Sequence, residues 1–147
     1  MLESLTFFLA IVGYAGLTLT AVAAAWGRLP VWLWRGVAAI ILVHVLLVWS
    51  VRYGWQFGEA TRNGYVGFLL FHTALLAILA SVLLRERVAR WLIWGAFVIV
   101  SLGAIGATFR YEVVALYRIP VMLSALLGTS GLIWAFSIHR RRTATAA

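Results

Sequence analysis

The sequence contains no cysteine and no lysine, and its four acidic residues are all glutamates, so aspartate is absent too. Without cysteine there is no disulfide, no thiolate ligand for a metal and no thiol nucleophile. Without aspartate a Ser-His-Asp triad is excluded, and no glycine-rich phosphate loop is present. Catalysis by side chains alone is therefore not expected of this chain.

Charged residues make up only 11% of the 147 residues, whereas 65% are hydrophobic. Five stretches are long and apolar enough to cross a hydrocarbon layer of roughly 30 Å as helices; they lie at about 6–26, 31–51, 65–84, 91–109 and 119–138. We expect one all-α integral membrane domain over residues 1–147, an antiparallel bundle of five transmembrane helices. The first stretch is expected to be retained rather than cleaved as a signal peptide, because MLES carries Glu3 and no basic residue.

The twelve basic residues are all arginines, and they are unevenly divided between the two ends of the predicted helices. Eight lie at one end, namely Arg28, Arg35, Arg85, Arg87, Arg90 and the run 140–142. The positive-inside rule makes that end cytoplasmic, with the N-terminus outside and the C-terminus inside, in a bacterial inner membrane. His139 and the arginines after it are expected to lie at the interface and touch anionic lipid, so the bilayer, rather than nucleic acid, is the expected partner of the positive charge.

No acidic residue falls inside any of the five apolar stretches. Proton and cation transporters generally carry a carboxylate within the membrane, so a pump or channel is not expected. Two histidines, His44 and His72, do fall inside them.

His44 lies seven residues before the predicted end of helix 2, and His72 lies seven residues after the predicted start of helix 3. At 1.5 Å per residue, both imidazoles are expected roughly 10 Å below the outer boundary of the membrane. Two interpretations follow. The histidines are the two axial ligands of one haem b, since iron takes one nitrogen from each side of the porphyrin; or each is a neutral side chain that hydrogen-bonds a neighbouring helix.

Further residues fit the haem hypothesis. Small residues that would leave flat walls for a porphyrin recur at the same depth: Gly13, Gly16, Gly103, Ala104, Gly106, Ala107 and Gly128. Arginines at the outer end are expected to pair with the propionates, Arg52 first and then Arg110 and Arg118, because guanidinium binds carboxylate bidentately. The imidazole nitrogen that does not bind iron is expected to donate to the carbonyl one turn back, at Ile40 for His44 and at Phe68 for His72.

This pattern of apolar helices with His44 and His72 resembles the small haem b membrane subunits of respiratory oxidoreductases, such as the cytochrome b anchors of succinate dehydrogenases, nitrate reductases and membrane hydrogenases. The resemblance implies electron transfer between a quinone and a redox partner subunit. Five-helix anchors with two haems use four histidines, so two imply one haem. The chain also resembles, more distantly, the membrane haem protein that oxidises protoporphyrinogen, but that family uses a lysine, which is absent here.

Two alternatives remain open at the level of the sequence. The chain could be a cofactor-free accessory or assembly subunit of a larger membrane complex, with its glycine faces packed against partner helices. The same imidazoles could also bind a chlorin or another tetrapyrrole.

Overall fold

In a computed structural model, the chain is helical over nearly all of residues 2–62 and 64–144, which are the residues described, with side chains described up to Ile138. Five long helices and one short helix follow one another: α1 (Leu2–Ala25), α2 (Val31–Val51), α3 (Phe57–Thr61), α4 (Tyr65–Leu83), α5 (Glu86–Arg110) and α6 (Arg118–Ala144). A 3₁₀ helix, Glu112–Tyr117, joins α5 to α6. The described residues contain no strand, so the all-α prediction is confirmed.

All five long helices are long and apolar enough to cross a membrane. The predicted span 31–51 coincides with α2. Its N-cap is Pro30, which has no backbone N–H and so cannot donate a helical hydrogen bond to a preceding turn. In contrast, α5 begins at Glu86 instead of near 91, because its first turn carries charged residues that hydropathy does not score as membrane. The segment 52–64, between the predicted second and third spans, holds the short helix α3, which the sequence did not reveal.

Helix α1 is the most buried of the five long helices and packs against α2, α5 and α6, which places it centrally in the bundle. Its glycines allow α2 to come close: a Cβ added at Gly13 would lie 2.9 Å from Ile41, and one added at Gly16 would lie 2.7 Å from Val37. In a lipid environment, helices associate through such close van der Waals packing rather than through the hydrophobic effect. The small residues of α1 therefore determine where α2 lies.

Polar side chains inside the bundle are paired with one another or with backbone carbonyls. The Tyr14 hydroxyl donates to Ser101 Oγ at 2.8 Å, and the Trp34 indole donates to Ser81 Oγ at 3.0 Å. Among the described residues, no buried side-chain nitrogen or oxygen lacks a hydrogen bond. This hydrogen bonding matters because a polar group left unpaired in hydrocarbon destabilises the folded protein by several kcal/mol.

Replacing Tyr14 with phenylalanine is expected to lower the free energy of unfolding by about 0.6–1.7 kcal/mol, the usual range for one interhelical hydrogen bond in a membrane protein. The substitution removes only the hydroxyl that joins α1 to α5. Unfolding by SDS in mixed micelles measures the change. Tyr65→Phe is the matched control, because Tyr65 is 62% exposed and makes no packed contact in the core; equal effects of the two substitutions would contradict the prediction.

Candidate functional site

His44 is held by the first turns of α1. Its Nδ1 lies 2.9 Å from the carbonyl oxygen of Thr6. A carbonyl only accepts, so Nδ1 carries the proton and Nε2 keeps its lone pair. The predicted partner, the carbonyl of Ile40, was wrong: the close approach of α1 and α2 at Gly13 and Gly16 brings a carbonyl of the other helix within reach.

His72 is fixed from both sides. Its Nδ1 lies 2.8 Å from the carbonyl oxygen of Phe68, one turn back in α4, and this prediction is confirmed. Its Nε2 accepts a hydrogen bond from the Trp49 indole at 3.1 Å. Because an indole can only donate, this contact independently shows that the lone pair of His72 is on Nε2.

The two imidazoles have the same tautomer but different neighbours. Helices α2 and α4 meet at Trp34 with Ser81 and at Trp49 with His72, and His44 lies between these two contacts along α2. Trp49, the residue of α2 that contacts His72, lies five residues after His44, about 7.5 Å further along the helix. His44 contacts α1 whereas His72 contacts Trp49, and the described contacts include none between the two rings.

An aromatic cluster surrounds His72, and sequence reasoning missed it. The His72 ring stacks on Phe68 with centroids 4.0 Å apart, and the Trp49 ring meets it edge-on at 5.8 Å. Trp49 also contacts Tyr53 and Trp55. One signal could have found Trp49: an indole N–H inside a membrane helix needs an acceptor, and His72 offers one on a neighbouring helix. Trp55 itself has a φ of 62°, an uncommon conformation for a residue with a Cβ.

The three arginines predicted to pair with propionates lie at the end of the bundle that contains Glu3, and each has a local contact. Arg52 forms an ion pair with Glu3 at 3.6 Å and lies over the ring of Phe7. Arg118 donates from Nε to the carbonyl oxygen of Thr108 at 2.9 Å.

Arg110 is the third of these arginines, and it lies over the ring of its neighbour Tyr111 with its guanidinium carbon 5.5 Å from the ring centroid. All three guanidinium groups keep hydrogen-bond donors beyond these contacts, since each carries five.

The glycines predicted to form flat walls differ in their surroundings. Gly13 packs against Ile41, and a Cβ at Gly103 would lie 2.7 Å from Phe71. Of the five glycines predicted there, Gly106 alone has nothing within 4 Å of an added Cβ. At Gly13 and Gly103, helix packing thus uses the space that the missing side chain leaves.

The candidate site offers two imidazole nitrogens as possible metal ligands, one from His44 and one from His72. No group of three or more histidine, cysteine or acidic side chains within the described residues could hold a metal ion. Two imidazoles leave a bare ion largely uncoordinated, whereas a porphyrin supplies four nitrogens and needs only axial ligands. Each histidine has one lone pair on Nε2, and the Trp49 indole already donates to that of His72. His139, for which an interfacial position was predicted, and the arginines 140–142 have side chains outside the described residues.

Comparison with models of protein families, with curated proteins and with solved structures finds no match to this chain. Any functional assignment therefore depends on the residues themselves.

Proposed function

We propose that this chain is a membrane cytochrome b subunit that binds one haem b through His44 and His72 and relays electrons. The observation that supports the proposal best is the shared tautomer: each histidine donates from Nδ1 to a backbone carbonyl and keeps its lone pair on Nε2. Metal-ligating histidines generally donate their other ring N–H in this way, which fixes the ring and makes the ligating nitrogen more basic.

The chain's own residues have distinct parts in this function. The carbonyls of Thr6 and Phe68 orient the two imidazoles, and the aromatic cluster around His72 keeps water away. Arg52, Arg110 and Arg118 are the partners for the propionates. When bound, haem supplies one-electron chemistry at iron, and the protein tunes its potential through ligation and burial.

The proposed setting is a bacterial inner membrane, with the five long helices antiparallel, the N-terminus outside and the C-terminus in the cytoplasm. The excess of arginine at one set of helix ends supports this orientation. Electrons would pass between a quinone and another membrane or peripheral redox subunit, because the chain has little extramembrane mass on which to bind a substrate of its own.

A second candidate is a cofactor-free accessory or assembly subunit. The observation that favours it is that both histidines join helices: His44 bonds to α1, and His72 accepts from Trp49 of α2. In that function the imidazoles would only stabilise packing.

The reduced-minus-oxidised absorption spectrum of the purified full chain, with a pyridine haemochrome assay, tests the proposal. We expect a low-spin b-type spectrum and one haem per chain. A colourless protein from cells with ample haem would contradict the proposal and support the accessory subunit.

A further inference from the structure

A cavity of about 280 Å³ lies at the opposite end of the bundle from Glu3, where α1 ends and α5 begins. Side chains of α5 and α6 form most of its lining: Arg87, Arg90, Trp91, Trp94, Ala135 and Phe136. None of the residues assigned to the haem site takes part in it.

The apolar side of the cavity is held in place by packing. The Trp94 indole donates to the carbonyl oxygen of Ala21 at 3.1 Å, which anchors the ring to α1. Trp91 and Phe136 both meet Trp94 edge-on, with centroids 4.9 and 5.1 Å away. Because its N–H group is already used, Trp94 offers a ligand only its apolar surface.

The polar side of the cavity is positive. Arg87 and Arg90 are three residues apart in α5, so both guanidinium groups lie on one face of the helix. Among the residues that the structure describes, neither of them forms an ion pair with a carboxylate. Arg28 and Arg85 add positive charge at the same end of the bundle, against the single acid Glu86.

We propose that this cavity binds the phosphate headgroup of an anionic phospholipid. Pockets for drug-sized ligands occupy ~300–1,000 Å³, so this cavity suits a headgroup rather than a whole cofactor. A lipid can place its phosphate against the two arginines and leave its acyl chains outside, along the tryptophans and the apolar helix surface. The inference does not depend on haem binding, since it concerns other residues at the other end of the bundle.

Native mass spectrometry of the full chain, released from detergent with phosphatidylglycerol or phosphatidylcholine present, tests this proposal. We expect the chain to retain phosphatidylglycerol in preference to phosphatidylcholine. The double substitution R87Q/R90Q is expected to weaken phosphatidylglycerol binding about thirtyfold, since each arginine near an anionic lipid surface contributes roughly fivefold. Arg35→Gln is the matched control: it removes one arginine from the same end of the bundle but outside the cavity, and binding should stay close to that of the unaltered chain.

Three results would overturn the proposal. Equal retention of the two lipids would show no preference for negative charge, and unchanged phosphatidylglycerol binding in the double variant would place the lipid elsewhere. Displacement of the lipid by millimolar inorganic phosphate would mean that the cavity binds a free anion. If the double variant does not fold, Arg87→Gln alone decides the matter, with an expected loss of about fivefold.

Discussion

Replacing Gly128 with alanine is expected to lower the free energy of unfolding by about 1–3 kcal/mol, the range for overpacking a core that is already filled. An added Cβ at Gly128 would overlap Cζ of Phe97 and lie 2.6 Å from its Cε2 and 3.0 Å from Thr18 Cγ2. Phe97 is 1% exposed and stacks on Tyr14, so its ring has no space into which to move. The contact joins α6 to α1 and α5 at once, and SDS unfolding in mixed micelles reports the loss.

Two controls separate overpacking from a general effect of alanine in a helix. Gly106→Ala changes a glycine with nothing near the new methyl group, so its stability should be unchanged or slightly higher. Shortening the blocking side chain in the double variant F97L/G128A should restore part of the stability that G128A loses, giving a favourable coupling energy. Strictly additive effects of the two substitutions would show that Phe97 is not the obstacle.

Alanine at His44 or at His72 is expected to abolish the b-type spectrum of the purified chain. Changing only the outer partners of a ligating histidine commonly costs ~10–100-fold in affinity, and loss of the ligand itself should cost more. The pyridine haemochrome assay measures the haem that remains. Thr73→Ala provides the control, because Thr73 is exposed, lies beside His72 and takes part in none of the contacts of the site. Full haem content in either variant would show that the substituted histidine does not bind the iron.

Trp49→Phe distinguishes the haem protein from the accessory subunit. If His72 binds iron, the indole competes for Nε2, so W49F should keep its haem whereas H72A loses it. If His72 only joins helices, W49F and H72A each break the same hydrogen bond. In that case each single substitution should lower the free energy of unfolding by about 0.6–2 kcal/mol, and the double variant should lower it by little more.

The apolar helices could be predicted from the sequence because hydropathy reports directly on length and burial in lipid. It does not report where a helix ends once charged residues begin, as the start of α5 at Glu86 shows. Hydropathy also does not reveal which helix faces pack against one another. The helices are apolar on all sides, so periodicity carries little information about the core-facing side.

The same distinction applies to the candidate site. The contact of His72 with the Phe68 carbonyl lies within one helix, so spacing along the chain was enough to predict it. The contact of His44 with Thr6 and the contact of Trp49 with His72 each join two helices. Such contacts depend on how closely the helices approach and how they are rotated, which a single sequence does not reveal. The glycines of α1 allow the close approach of α2 that the first contact needs.

The central position of α1 has a consequence for how the protein is made. Its partner Ser101 lies 87 residues after Tyr14, and α6 is synthesised later still. At translation rates of ~5–20 residues per second, the ribosome needs roughly 4–17 s to supply that partner. During this interval the face of α1 that carries Tyr14 and Thr18 lacks its final neighbours. Because α1 precedes α5 and α6 along the chain, until they are made it can pack only against α2 among the three helices that surround it in the folded protein.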